Sequence, residues 1–149
     1  MRIWIDTKFN GFQGELISMA LVSEDNQVFY ESLGCGEPCA WVHENVMPII
    51  NKDPIPKSLF WYKLEEYLCQ WDDVHIIADW PEDIAHLCQA LIFGPVYAIP
   101  IPNKMTFEVN REIDAESELP HNALADAIAI RDMHLQLEAG LFDQWDGCS

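Results

Sequence analysis

The alternation of apolar and polar residues divides the chain into short strands followed by helices and further strands. Arg2–Ile5 combines β-branched and aromatic residues and predicts a first strand that ends where Asp6 opens a polar stretch. Asn10-Gly11 and Gln13-Gly14 supply turn chemistry. Glu15–Ser23 is nearly continuous in apolar residues, as a buried central strand requires. After the turn Glu24-Asp25-Asn26, Gln27–Ser32 alternates and reads as a third strand, so an antiparallel meander is expected. Ala40–Ile50 carries apolar residues near helical spacing. Lys57–Trp71 places Leu59, Phe60, Leu64, Tyr67, Leu68 and Trp71 on one face of an amphipathic helix. Val74–Ala78 predicts a strand, Glu82–Leu91 a helix, Val96–Ile99 a strand and Pro120–Leu137 a helix. Asn103–Leu119 reads as polar loop and Phe142–Ser149 as a weakly structured tail. This order implies one α/β domain over residues 1–149, built on a mixed sheet of three antiparallel strands followed by parallel ones, with helices on its faces.

Composition narrows the class of protein. Half of the 149 residues are apolar, which excludes an intrinsically disordered chain. A domain of this size buries enough surface to fold without disulfides or a structural metal. The formal net charge of −17 argues against a non-specific coat for duplex DNA, because phosphate contacts need Lys and Arg. It leaves open an enzyme that meets nucleic acid through bound cations. No apolar run approaches the roughly 18 residues of a membrane span. Met1–Asp6 lacks the features of a signal peptide, so a cytoplasmic protein with free thiols is expected. Cys35-Gly-Glu-Pro-Cys39 lacks a second close Cys/His pair to complete a zinc site.

The candidate chemistry is carboxylate. Asp6 is expected at the carboxyl end of the first strand. Asp79 and Asp83 follow a later strand, and His121 and Asp126 stand at the start of the last helix. Sites in open α/β sheets form at strand carboxyl ends. Converging carboxylates are the hard oxygen ligands that Mg²⁺ or Mn²⁺ takes, with positions left for water and a phosphate. A purely structural role competes at each position: Asp79 as a cap for the following helix, Asp83 as a favourable charge at its N-terminus, His121 as a solvated loop residue. Asp126 fits such a role less well, being acidic inside an alanine-rich helix.

Taken jointly, these positions resemble the DEDDh 3′–5′ exonucleases of the ribonuclease H-like superfamily, in particular the small stand-alone bacterial and phage exoribonucleases. The resemblance runs through most of the chain. Ile5-Asp6-Thr7-Lys8-Phe9 matches the first motif, Asp-x-Glu after a strand, and Glu15–Val22 looks like the family's second strand. Asp79-Trp-Pro-Glu-Asp83 fits the second motif, with Asp83 in the acidic slot. His121-Asn-Ala-Leu-Ala-Asp126 fits the third, His-x-x-x-x-Asp. The resemblance implies a ribonuclease H-like sheet and metal-dependent release of nucleoside 5′-monophosphates from single-stranded RNA or a 3′ overhang. It implies two Mg²⁺ or Mn²⁺ ions and a homodimer. Carried over, His121 is the general base, Asp6 bridges both metals, Asp126 holds one, and Asp83 holds metal-bound water. The backbone near Thr7, Lys8 and Phe9 is the expected contact to the terminal sugar, with Phe9 or Trp80 available for base stacking against the alternative of core packing.

Lys8 departs from the motif, standing where the family has a Glu metal ligand. A charged ammonium has no lone pair to offer a metal. Three accounts of Lys8 stand at this point. The chain is an inactive variant, since Glu to Lys is a single-base change; or it is a natural pseudo-nuclease whose Lys8 mimics a cation and holds phosphate; or Lys8 points away and Glu15 or Glu82 supplies the missing oxygen. The favoured expectation is a nuclease fold impaired in this chain. Two other classes remain beside it: a catalytically inactive interaction module on the same fold, using the tryptophans and the 57–71 helix as a partner surface, and an unrelated α/β domain.

Overall fold

The computed structural model describes residues 1–92 and 98–140. In chain order the elements are β1 (Arg2–Phe9), β2 (Leu16–Ser23), β3 (Val28–Ser32), α1 (Ala40–Asn45), α2 (Lys57–Leu68), β4 (Asp73–Ala78), α3 (Pro81–Ala90), β5 (Lys104–Val109) and α4 (Ala123–Glu138). The strands form one mixed sheet in the order β3-β2-β1-β4-β5. β1 pairs antiparallel with β2, and β2 with β3, giving the expected meander. β4 pairs parallel with both β1 and β5.

Helices cover both faces. On one face Phe60, Leu64 and Leu68 of α2 and Leu87 and Ala90 of α3 pack on Ile3, Ile5, Met19, Leu21 and Ile76. On the other face lies α4. Its Ala123 and Ala127, fully buried, meet Ala20 and Val22 of β2, while Ile130 joins Trp4 and Ile77. Alanine against alanine lets α4 approach the sheet closely, which brings Asp126 down toward β1. The buried Trp4 indole donates to His134 Nδ1 at 3.0 Å, so the indole N–H finds an acceptor inside this layer.

Several boundaries differ from the sequence expectation. β1 continues to Phe9, so Asp6 lies inside the strand and not at its carboxyl end. Asp6 and Lys8, two apart on a strand, therefore share one face. The turn after β1 depends on Gly14, where an added Cβ would sit 1.9 Å from the Asn10 carbonyl oxygen. The helix expected over Ala40–Ile50 ends at Asn45 and gives way to a 3-10 turn at Met47–Ile49; Pro48 has no N–H for an α-helical bond and disfavours helical geometry at Met47. α2 stops at Leu68, short of Trp71.

The largest correction concerns the fifth strand. It lies at Lys104–Val109, inside the segment expected to be loop. Of the expected strand Val96–Ile99, residues 96–97 lie outside the described residues, and Ala98 forms only an isolated bridge with Ile92. The expected tail at 142–149 also lies outside them. Finally, α4 begins at Ala123 and not at Pro120, because the Asn122 side chain accepts the Ala125 N–H at 3.0 Å and caps the helix.

Candidate functional site

Three separated parts of the chain meet near the middle of β1. Strand alternation turns Asp6 and Lys8 toward α4. Ala78 ends β4, and Asp79 leaves the sheet there. Pro81 then opens α3, and Asp83 falls in its first turn. Asp126 falls in the first turn of α4. A cleft of about 480 Å³ is lined by Asp6, Lys8, Asp79, His121 and Asp126 together with Glu116 and Ser117.

Lys8 points into this cleft. Its Nζ lies 2.7 Å from Asp126 Oδ2, to which it donates a hydrogen bond, and 3.0 Å from Asp6 Oδ2. The three side chains are only 16%, 17% and 10% exposed for Lys8, Asp126 and Asp6. The account in which Lys8 turns away is thereby overturned. Glu15 pairs instead with the Cys35 thiol at 3.4 Å, and Glu82 accepts from the Gln13 N–H and the Trp80 indole.

Asp83 is buried and held by a single residue. The Thr7 N–H and hydroxyl both donate to its Oδ1, at 3.1 and 2.6 Å. Asp6 Oδ2 is buried, and its partner is the Lys8 ammonium, an ion pair at 3.0 Å. Oxygens of Asp6, Asp79 and Asp83 lie within 4.8 Å of one another, and this group could hold a metal ion. It is the one such cluster among the described residues, and the Cys35/Cys39 pair is not part of it. The donors are all carboxylate, which suits a hard divalent cation, while Asp6 Oδ2 is ion-paired with the Lys8 ammonium at 3.0 Å. The set expected from sequence was Asp6, Asp83 and Asp126. Asp79 joins the first two, while Asp126 is engaged by Lys8.

The charges in the cleft perturb one another. Burial lifts the Asp6 carboxyl well above the usual carboxylate range; the Lys8 charge opposes this, and the charges of Asp83 and Asp126 add to it. Burial also raises Asp83, to about 7, against the hydrogen bond from the Thr7 hydroxyl and with the Asp79 charge. Asp79 is raised, again mainly by burial. For Lys8, burial works against the ammonium, and the charges of Asp6 and Asp126 outweigh it, so the group is raised and stays protonated. A divalent ion placed about 4 Å from that ammonium is repelled by about 8 kcal/mol at an effective dielectric of 20. Lys8 and a cation shared by Asp6 and Asp126 therefore exclude each other.

His121 has a left-handed backbone, φ 73°. This conformation aims its N–H at Asp126 Oδ2, 3.2 Å away, and its ring meets the exposed Trp41 edge-on at 5.0 Å between centroids. Of the expected nucleotide contacts, Thr7 is committed to Asp83 and Phe9 stacks on the buried His86 at 4.9 Å. Trp80 lies at the surface between Phe12, 6.2 Å away, and the Arg111 guanidinium, 4.9 Å from its ring centre. Asp79 is the site residue that sequence reasoning treated mainly as a cap. Its signal was position, directly after β4 and four residues before Asp83. Among the described residues, no helix is long and apolar enough to cross a membrane. Comparison with models of known protein families finds no match, and comparison with curated proteins finds none.

Proposed function

We propose that the chain is a ribonuclease H-like 3′–5′ exoribonuclease of the DEDDh type, acting on single-stranded 3′ ends, whose catalysis Lys8 impairs. The observation that carries this reading is convergence. Asp6, His121 and Asp126, spread over 120 residues of sequence, line one cleft on one mixed sheet, and a carboxylate oxygen of Asp83 lies within 4.8 Å of one of Asp6. The strand order β3-β2-β1-β4-β5, antiparallel on one side and parallel on the other, supports the ribonuclease H-like assignment. Nothing in core packing asks for four acidic side chains, Asp6, Asp79, Asp83 and Asp126, so close together, two of them (Asp6 and Asp83) buried.

Each residue then has a task. Asp6, Asp79 and Asp83 are the groups that would hold Mg²⁺ or Mn²⁺. A bound divalent cation polarises the phosphodiester and neutralises charge at the leaving 3′ oxygen. His121 takes the proton of the attacking water at an imidazole nitrogen. Asp126 holds the His121 main chain in its left-handed turn, and Thr7 orients Asp83 through two hydrogen bonds. Lys8 impairs the site by occupying both Asp6 and Asp126.

The test is product identity. Lys8→Glu incubated with Mn²⁺ and a single-stranded RNA should release nucleoside 5′-monophosphates, resolved by chromatography, and should leave a 3′-blocked RNA intact. Internal cleavage or the absence of mononucleotides contradicts the proposal. The double engagement of Lys8 favours one second reading, a phosphate-binding module without catalysis; on that reading the unmodified chain binds RNA, Lys8→Glu binds it more weakly, and neither shortens it.

A further inference from the structure

We propose that β5 is a self-complementary edge through which two copies of this chain pair antiparallel about a two-fold axis at Thr106, joining their sheets into one. The surface follows from β5 alone and does not depend on the nuclease reading above.

The strand order leaves β3 and β5 at the two edges of the sheet. The β3 edge is partly closed: Ser32 bridges Pro54, and the Ile55 N–H donates to the Ser32 carbonyl oxygen at 2.9 Å. Among the described residues, nothing pairs with the outer side of β5. Its inner side is engaged. The Lys104 N–H donates to the Asp72 carbonyl oxygen at 3.1 Å and the Asn110 N–H to that of Ala78 at 2.8 Å, at the two ends of the parallel ladder with β4. Alternate residues bond to the neighbour in such a ladder. Lys104, Thr106, Glu108 and Asn110 therefore face β4, and the N–H and C=O groups of Met105, Phe107 and Val109 face outward. No proline and no register shift interrupts Lys104–Val109, so the devices that usually blunt an open edge are missing from it.

The side chains select a second copy as the occupant. An isologous two-fold sets residue i against j and j against i. Centred on Thr106, it puts Met105 opposite Phe107 twice, both facing outward, and these two pairs exchange about four main-chain hydrogen bonds. It also puts Lys104 opposite Glu108 twice and Thr106 opposite itself. Apolar side chains then meet on one face, where Met105 packs on the core and Phe107 and Val109 are still 42% and 43% exposed. Opposite charges and the two threonines meet on the other face, where His75 holds Thr106 and Glu108. Both kinds of cross-strand pair are stabilising. Centred on Phe107 instead, Lys104 faces Asn110 and Glu108 faces Thr106, so neither charge has a partner. A centre between two residues sets outward-facing residues against inward-facing ones and loses the main-chain bonds. The Thr106 centre alone satisfies the backbone and both charges. Two chains of net charge −17 repel each other in general, and this charge-balanced strand gives them a place to approach.

Sedimentation velocity of the full chain across the micromolar range tests this, with Lys104→Glu and Glu108→Lys each checked for folding by circular dichroism. The unmodified chain should form a dimer that dissociates on dilution. Each variant puts like charges opposite one another on both sides of the axis and should weaken self-association at least ~10-fold. An equimolar mixture of the two variants should regain a dimer, because an all-acidic edge then meets an all-basic one. A monomer at every concentration, which leaves the β5 edge to a different protein, overturns the proposal. So does a dimer that survives both substitutions, or a mixture that associates no better than its components.

Discussion

Replacing Lys8 by Met keeps the length of the side chain and removes its charge. The ammonium faces two carboxylates at 2.7 and 3.0 Å in a setting where none of the three side chains exceeds 17% exposure. At an effective dielectric of 20, each attraction is about 6 kcal/mol. Most of that is offset by the cost of desolvating the charges, yet removing one partner alone leaves the others buried and unpaired, which costs about 3–5 kcal/mol. Asp79 and Asp83 nearby make the field on Asp6 more negative still. The expected outcome in urea unfolding, followed by tryptophan fluorescence at pH 8 with chelator present, is a loss of that size. At pH 5 the loss should shrink, because Asp6 is already raised and without Lys8 it rises further and takes up a proton. Millimolar Mn²⁺ should restore much of the stability at pH 8, since a cation can then occupy the vacated position. A loss below about 1 kcal/mol, insensitive to both pH and Mn²⁺, would refute the assignment of Lys8 as the internal counter-ion of the site.

Further outcomes follow from the same geometry. The Asp83 carboxyl is raised from 3.8 to about 7, so the unfolded chain gives up this proton first; its contribution to stability is full below pH 4 and is lost as pH rises through about 7, by up to about 4 kcal/mol. Asp83→Asn keeps an acceptor for Thr7 and should flatten the fall in melting temperature between pH 4 and 8; an unchanged slope contradicts this. Asn122→Ala removes the cap of α4 and the donor to the Ile49 carbonyl oxygen at 2.7 Å, with an expected loss of about 2–3 kcal/mol in urea unfolding. In a Lys8→Glu background, His121→Ala should lower the rate of RNA shortening about 10²–10⁴-fold, and a loss below 10-fold removes His121 from the chemistry.

Much of this fold was legible because its hydrophobic pattern is local. The meander over β1–β3 and the helices α2, α3 and α4 follow from alternation and from i, i+3/i+4 spacing. β5 was misplaced for a physical reason. It is an edge strand with little burial on either face, and its polar residues Lys104, Thr106 and Glu108 masked an alternation with Met105, Phe107 and Val109 that was present throughout. The apolar run just before it drew the strand assignment instead. At the site, Asp6, Asp83, His121 and Asp126 were read from their order along the chain. The placement of Lys8 was not, because ending β1 at Ile5 hid the fact that residues 6 and 8 share a face. The promotion of Asp79 from cap to metal-ligand candidate needed the pairing of β4 beside β1, which sets the end of β4 near Asp6 and which no local pattern encodes.

The most direct test of the central claim, a nuclease site silenced by Lys8, is the rate of shortening of a 5′-labelled, 3′-tailed RNA in Mn²⁺ by this chain and by Lys8→Glu side by side. The account predicts a ladder retreating from the 3′ end with Lys8→Glu at least ~100-fold faster than with the unmodified chain. Equal rates for the two proteins, or no ladder from either, would contradict it.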